Sequence, residues 1–250
     1  MCTTCGCDHH GSLDTVRGHS HDHGHDRQDN KHGKRKVIAI EEDILAKNNR
    51  LAAFNRALFK DKGIFVLNLV SSPGSGKTTL LERTLRDLSG KFRFSVIEGD
   101  QQTDNDAQRI AATGVAVRQI NTGAGCHLDA HQVMHGTEGF DLDHLDILMV
   151  ENVGNLVCPA SFDLGEHHKV AVLSVTEGED KPLKYPKMFH NSTVMLLNKT
   201  DLLPHLDFDV EKCKEYARRV NPAIVIIEVS ARSGEGMEAW YRWLGEGVAR

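Results

Sequence analysis

The sequence predicts an α/β protein: a mainly parallel sheet flanked by helices on both faces, preceded by a disordered tail rich in cysteine and histidine. Three observations predict it. From residue 64 onward, short apolar runs alternate with amphipathic stretches, the pattern of repeated strand–helix units. The runs are apolar at consecutive positions rather than at alternate ones, so both faces of the sheet must be covered. A Gly-rich turn joins the first run directly to a helix-like segment, and ligands of such sheets collect at the carboxyl ends of the strands.

Taken in order, residues 1–35 hold Cys, His, Asp, Gly and Lys, with Leu13 and Val16 the only aliphatics after Met1. So little apolar surface cannot offset the entropy of ordering, and a disordered metal-binding tail is expected. Composition changes near Lys36, where one domain spanning 36–250 is expected to begin. Ile44, Leu45, Leu51, Ala52, Phe54, Leu58 and Phe59 predict an amphipathic helix over about 41–60. Strands are predicted at 64–70, 94–98, 115–120, 146–150, 170–175, 193–197 and 224–229. The intervening helices fall at 77–88, 104–113, 127–136, 209–220 and 234–245.

The turn is Ser71-Ser72-Pro73-Gly74-Ser75-Gly76-Lys77-Thr78-Thr79, between Phe65–Val70 and the helix that Thr79 continues. It fits the phosphate-binding (P-loop) pattern, with Ser71 where a first glycine is usual. Backbone N–H groups of Gly74, Ser75 and Gly76 would face the phosphates, Lys77 would bridge the outer two, and Thr78 would ligate Mg²⁺. Further on, Asn198-Lys199-Thr200-Asp201 leaves the end of an apolar run. A carboxylate at Asp201 matches the N1–H and exocyclic amine of guanine. Adenine would leave it unpaired, at a cost of roughly 2–5 kcal/mol. Ser230 and Ala231 follow the last strand, where a loop backing the guanine is expected, so GTP and GDP are the expected nucleotides. Val96–Asp100 and Ile147–Glu151 are strands ending in acid. Asp100 and Glu151 are the candidates for holding Mg²⁺ and positioning the attacking water, with helix N-capping the competing role for each. No arginine finger is recognisable, so slow intrinsic hydrolysis is expected.

A formal net charge of −5 argues against a broad nucleic-acid surface. No apolar run approaches the roughly 20 residues of a membrane helix, and the N-terminus has no apolar signal core. Cytoplasm is the expected location, where the six cysteines would be reduced and better suited to metal or redox ligation than to disulfides. Cys2, Cys5 and Cys7 place three thiols in a turn-sized loop that suits a soft or borderline divalent ion. With Met1 removed, the α-amine of Cys2 would complete a square-planar set favouring Ni²⁺; a redox-active thiol cluster is the alternative. His9, His10, His19, His21, His23, His25 and His32 present imidazoles without fixed geometry, suited to weak binding of several ions or to a solvated linker. Cys126 and His127 precede a predicted helix, and Cys158 follows the Glu151 segment. Cys126 and His127 are adjacent and could both reach one ion only at a helix start, and two such pairs across a two-fold axis would complete a four-ligand shell. His131 and His135 read as a solvated helix face, and Cys213 as a packing residue.

Together these motifs resemble the hydrogenase nickel-incorporation GTPases, the HypB family. The likeness covers nearly the whole chain: C-x-x-C-G-C, the His-rich insert, S-S-P-G-S-G-K-T-T, V-I-E-G-D-Q-Q-T, N-T-G-x-G-C-H-L-D, E-N-V-G-N-L-V-C-P, S-V-T-E-G-E-D-K-P and N-K-T-D. It implies a GTPase that dimerises with nucleotide and inserts Ni²⁺ into the [NiFe]-hydrogenase large-subunit precursor, aided by a zinc-containing HypA-type chaperone. By residue match, Cys2, Cys5 and Cys7 would be the tight nickel site. Cys126, His127 and Cys158 would be a weaker interface site for Ni²⁺ or Zn²⁺. Two other readings are kept beside it. One is a nickel-storage protein with a regulatory GTPase domain. The other is a urease-type nickel GTPase, whose Cys-Pro-His motif is broken here by Ala160 after Cys158-Pro159.

Overall fold

The computed structural model describes residues 29–100, 105–123 and 125–249, with side chains from residue 42 onward. The thiols of Cys2, Cys5 and Cys7 and, of the histidine-rich run, His9, His10, His19, His21, His23 and His25 lie outside the described residues; His32 falls within the first described helix. Helix α1 (Asp29–Asp61) contains the predicted 41–60 helix and starts further upstream. The strands are β1 (Phe65–Ser71), β2 (Phe94–Asp100), β3 (Ala116–Asn121), β4 (Ile147–Glu151), β5 (His168–Ser174), β6 (Val194–Asn198) and β7 (Val225–Glu228). The remaining helices are α2 (Lys77–Leu88), α3 (Asn105–Ala111), α4 (Ala130–Gly136), α5 (Lys181–Lys184), α6 (Pro186–His190), α7 (Val210–Val220) and α8 (Met237–Val248). The short α5 and α6 were not predicted, because each is a single turn or so with a proline at its start and too few residues to show a period.

All seven strands pair in parallel, in the order β3-β2-β4-β1-β5-β6-β7. Parallel strands need helical crossovers, and these cover both faces as the continuous apolar runs require. Central β1 divides its side chains by parity. Phe65, Leu67 and Leu69 pack with Leu80, Leu81 and Leu85 of α2 and with Met237, Trp240 and Leu244 of α8. Val66 faces the other way, toward Phe59 of α1 and Val133 of α4. On that second face β1 also places a fully buried amide, Asn68. Cys213 is buried in the cluster beneath α7, and burial pushes its thiol up to about 12, which suits the packing role and leaves no thiolate. Among the described residues no helix is long and apolar enough to cross a membrane.

Because the strands are parallel, Ser71, Asp100, Glu151, Ser174 and Asn198 all end at one edge of the sheet. The functional residues predicted from β1, β2, β4 and β6 are thereby gathered at one edge.

Candidate functional site

Gly74 and Gly76 turn the chain between β1 and α2 with φ of +76° and +88°, conformations that side chains resist. Gly76 is also the residue before α2, and a Cβ there would lie 2.7 Å from Asn198 Nδ2. That close approach is held by two bonds from the segment predicted to recognise the base: Asn198 Nδ2 donates to Ser75 O at 3.0 Å, and Lys199 Nζ donates to Gly74 O at 2.6 Å. Asn198 Oδ1 accepts from Ala231 N, and Ser230 Oγ donates to Asp201 Oδ1 at 2.6 Å. The phosphate turn, Asn198-Lys199-Thr200-Asp201 and Ser230-Ala231 therefore form one connected unit. Lys199 has φ of +64°, the only positive value outside glycine among the described residues, which places local strain in this loop.

Lys77 Nζ pairs with Glu151 Oε1 at 2.7 Å, and Thr78 Oγ1 lies 2.7 Å from the same oxygen. Thr78 Oγ1 is also 3.0 Å from Asp106 Oδ2 on α3. Asp100 closes β2, half-buried, and Glu151 closes β4, fully buried. Glu151 does not cap a helix; its partners are the lysine and threonine of the phosphate turn. Beside it in register sits Glu98, buried, with Oε2 lacking a hydrogen-bond partner among the described residues. Burial, followed by repulsion from Glu151 and Asp100, raises the Glu98 carboxyl to about 8. Oxygen donors gathered this way suit a hard divalent cation such as Mg²⁺.

Cys126, His127 and Cys158 come together as predicted: their ligand atoms all lie within 4.8 Å of one another. The predicted helix start at 127 needs correction. Helix α4 begins at Ala130, because Asp129 caps it by accepting from Gln132 N while the Gln132 side chain accepts from Asp129 N. Cys126 and His127 thus lie in the turn before the cap, outside the helix that carries His131 and His135. Those two rings are exposed and meet each other at 3.1 Å between Nε2 atoms. Burial lowers the pKa of His127, which favours the neutral form that ligates metals. The Phe162 ring covers it at 3.9 Å between centroids.

Short links join this cluster to the Glu151 segment. Asn152, next to Glu151, accepts Leu128 N at 3.0 Å through Oδ1. Asn155 Nδ2 donates to Cys126 O at 3.4 Å. Gly154 lies so close to Pro73 that a Cβ would be 3.2 Å from its backbone. A Cβ on Gly99 of β2 would strike the Leu128 side chain at 2.7 Å. The phosphate turn, the acidic strand ends and the thiol–imidazole cluster are packed as neighbours with little slack.

The sequence matches the family model "CobW/HypB/UreG, nucleotide-binding domain" over residues 65–228. It is 67% identical over 209 residues to the hydrogenase maturation factor HypB of Azotobacter vinelandii, covering 84% of this chain and 69% of that protein. The chain belongs to the HypB family of hydrogenase maturation factors. HypB of Escherichia coli K12 is 64% identical over 211 residues, covering 84% of this chain and 73% of the relative. A crystal structure of HypB from Helicobacter pylori in complex with nickel superposes with a TM-score of 0.77 at 40% identity, covering 81% of this chain and 95% of that one. The parallel α/β nucleotide-binding fold expected of a HypB protein is the fold observed.

Sequence reasoning missed Glu98, Asp106 and Asn152 as members of this site. Asp100, at the strand end, drew attention away from Glu98 two residues earlier. Only the pairing of β2 with β4 places Glu98 against Glu151.

Proposed function

We propose that this chain is a GTP-hydrolysing nickel metallochaperone that inserts Ni²⁺ into the [NiFe]-hydrogenase large-subunit precursor, its metal grip set by the nucleotide. In this reading Gly74, Ser75, Gly76, Lys77, Thr78 and Thr79 hold the phosphates, and Asn198, Lys199, Asp201, Ser230 and Ala231 hold the guanine. Thr78 and Asp100 ligate Mg²⁺, with Asp106 and Glu98 close by, and Glu151 positions the attacking water; bound Mg²⁺ would neutralise charge developing on the phosphates. Cys126, His127 and Cys158 hold Ni²⁺ or Zn²⁺, shared with a second copy across a two-fold axis. Cys2, Cys5 and Cys7 form the tight nickel site, a HypA-type zinc-containing chaperone is the partner, and the cytoplasm is the compartment.

One observation supports the coupling above the others: Glu151 is held by Lys77, and its neighbour Asn152 is bonded to Leu128, beside His127. When a triphosphate draws Lys77 onto its outer phosphates, Glu151 loses its charged partner and keeps only the Thr78 hydroxyl, so the segment through Cys158 must readjust. Glu151 is only 1% exposed, so it cannot turn to water instead. A metal that grips one arrangement better must in turn alter nucleotide affinity.

Size-exclusion chromatography with GDP or a non-hydrolysable GTP analogue, each with and without Ni²⁺, tests the reading alongside measured GTP hydrolysis. The expected result is slow turnover and a dimer whose population depends on both ligands. Normal hydrolysis by a monomer indifferent to both would overturn it.

A further inference from the structure

The interior of the sheet holds a polar chain that the nucleotide chemistry does not use. Strand β5 is apolar from Val170 to Leu173 yet carries a buried lysine, Lys169, at its second position. A buried ammonium is costly unless fully engaged, so its partners identify what it serves. Lys169 Nζ donates to Pro159 O at 2.8 Å and to Phe162 O at 3.1 Å, and lies 3.8 Å from Glu166 Oε1. Pro159 follows Cys158 directly. Phe162 is the residue whose ring covers His127.

The chain continues across the strand pair. Asn68 of β1 stands opposite Lys169 in register, and its Nδ2 donates to Glu166 Oε1 at 3.1 Å. Glu166 Oε2 accepts Leu164 N, fixing the far end of the loop that carries Cys158 and Phe162. Asn68 Oδ1 accepts from Asn152 Nδ2 at 3.2 Å, and Asn152 Oδ1 in turn holds Leu128 N. A single buried line, Lys169–Glu166–Asn68–Asn152, therefore reaches both halves of the metal cluster, one through Pro159 and Phe162 and the other through Leu128.

We infer that Lys169 is a positioning residue for the Cys126–His127–Cys158 site, its ammonium clamping from inside the sheet the turn that presents Cys158 and the ring that covers His127. An apolar side chain in its place would leave the Pro159 and Phe162 carbonyls without donors, and the 3-10 turn Cys158–Ala160 would lose its anchor beneath. Among the described residues Lys169 Nζ bonds to Pro159, Phe162 and Glu166 and to no nucleotide residue or metal ligand, so its effect must pass through the loop. Outer partners of this kind typically change metal affinity 10–100-fold when removed. The inference rests on the metal-site part of the proposed function.

The test uses the full chain with Cys2→Ser, Cys5→Ser and Cys7→Ser, so that a thiolate-to-Ni²⁺ charge-transfer band reports Cys126 and Cys158 alone. Ni²⁺ is titrated into the GDP-bound protein, before and after Lys169→Met. The expected result is affinity weakened roughly 10–100-fold with a shifted or diminished band, while GDP affinity stays within about twofold. Should K169M fail to fold, E166Q/K169M removes both charges together, leaves no lone buried ion, and is expected to weaken Ni²⁺ to the same degree. An unchanged band and affinity in a folded variant would overturn the role of Lys169 and leave the metal site standing. Absence of any band in the parent protein would overturn the metal-site reading and this inference with it.

Discussion

Replacing Glu98 by glutamine removes a buried ionisable group while keeping its shape, and the consequence for stability has a definite sign. Burial, with Glu151 and Asp100 adding to it, raises the Glu98 carboxyl from 4.5 to about 8 in the folded protein. The folded state therefore retains a proton that the unfolded chain releases near 4.5. Between those values the native state binds more protons than the unfolded one, so stability falls as pH rises and the loss is complete above about 8. At about 1.4 kcal/mol per unit, the loss from this one group between pH 6 and 8.5 amounts to about 2.5 kcal/mol. Urea denaturation of the nucleotide-free, Mg²⁺-free protein and of Glu98→Gln, at several pH values across that range, isolates it. Every other titrating group is common to both proteins. The stability difference should move in favour of E98Q by about 2–3 kcal/mol across the range, with the urea dependence unchanged. A difference independent of pH would refute the reasoning and mean that Glu98 is ionised throughout.

Gly76→Ala places a methyl group at φ +88° and 2.7 Å from Asn198 Nδ2. Titration with a fluorescent GDP should report affinity weakened at least tenfold, or about 1.4 kcal/mol, and unchanged affinity would contradict the close approach. Asp201→Asn replaces a two-oxygen acceptor by a group with one donor and one acceptor. GTP binding should weaken by roughly 2–5 kcal/mol, while xanthosine triphosphate, which carries a carbonyl in place of the amine, should gain affinity; competition between the two nucleotides reads both effects. Trp240→Phe loses the buried bond from indole Nε1 to Thr84 Oγ1 at 3.0 Å that ties α8 to α2. About 1–2 kcal/mol is expected, seen by calorimetry as a Tm lowered by roughly 2–8 °C; an unaltered Tm would mean that water replaces the bond.

Much of the fold was legible because continuous apolar runs and the turn chemistry around Gly74 and Gly76 are local signals. The nucleotide motifs were legible for the same reason: Lys77, Thr78, Asn198 and Asp201 sit at fixed distances from a strand end. Cys126, His127 and Cys158 were linked through the Glu151 segment, and the sheet brings them within reach of one another. What escaped depends on pairing between strands distant in sequence. Glu98 becomes part of the site only once β2 lies beside β4, and Asp106 only once α3 folds back onto α2. Asn68 did leave a trace, as the lone polar residue in the apolar run Phe65–Val70, whereas Lys169 follows Glu166, His167 and His168 and stands out from nothing. Their meaning required the β1–β5 register, which no local pattern encodes. The start of α4 was misplaced by three residues because Asp129 and Gln132 form a capping box that stops the helix before His127.

The central claim is that the terminal phosphate is felt at the thiol–imidazole cluster. It is tested most directly by titrating Ni²⁺ into the chain lacking the three tail thiols, once with GDP and once with a non-hydrolysable GTP analogue. A coupling of about 1–3 kcal/mol predicts affinities that differ by roughly 5–150-fold, with the difference abolished in Asn152→Ala, which cuts the bond to Leu128. Equal affinity for Ni²⁺ in the two nucleotide states would contradict it.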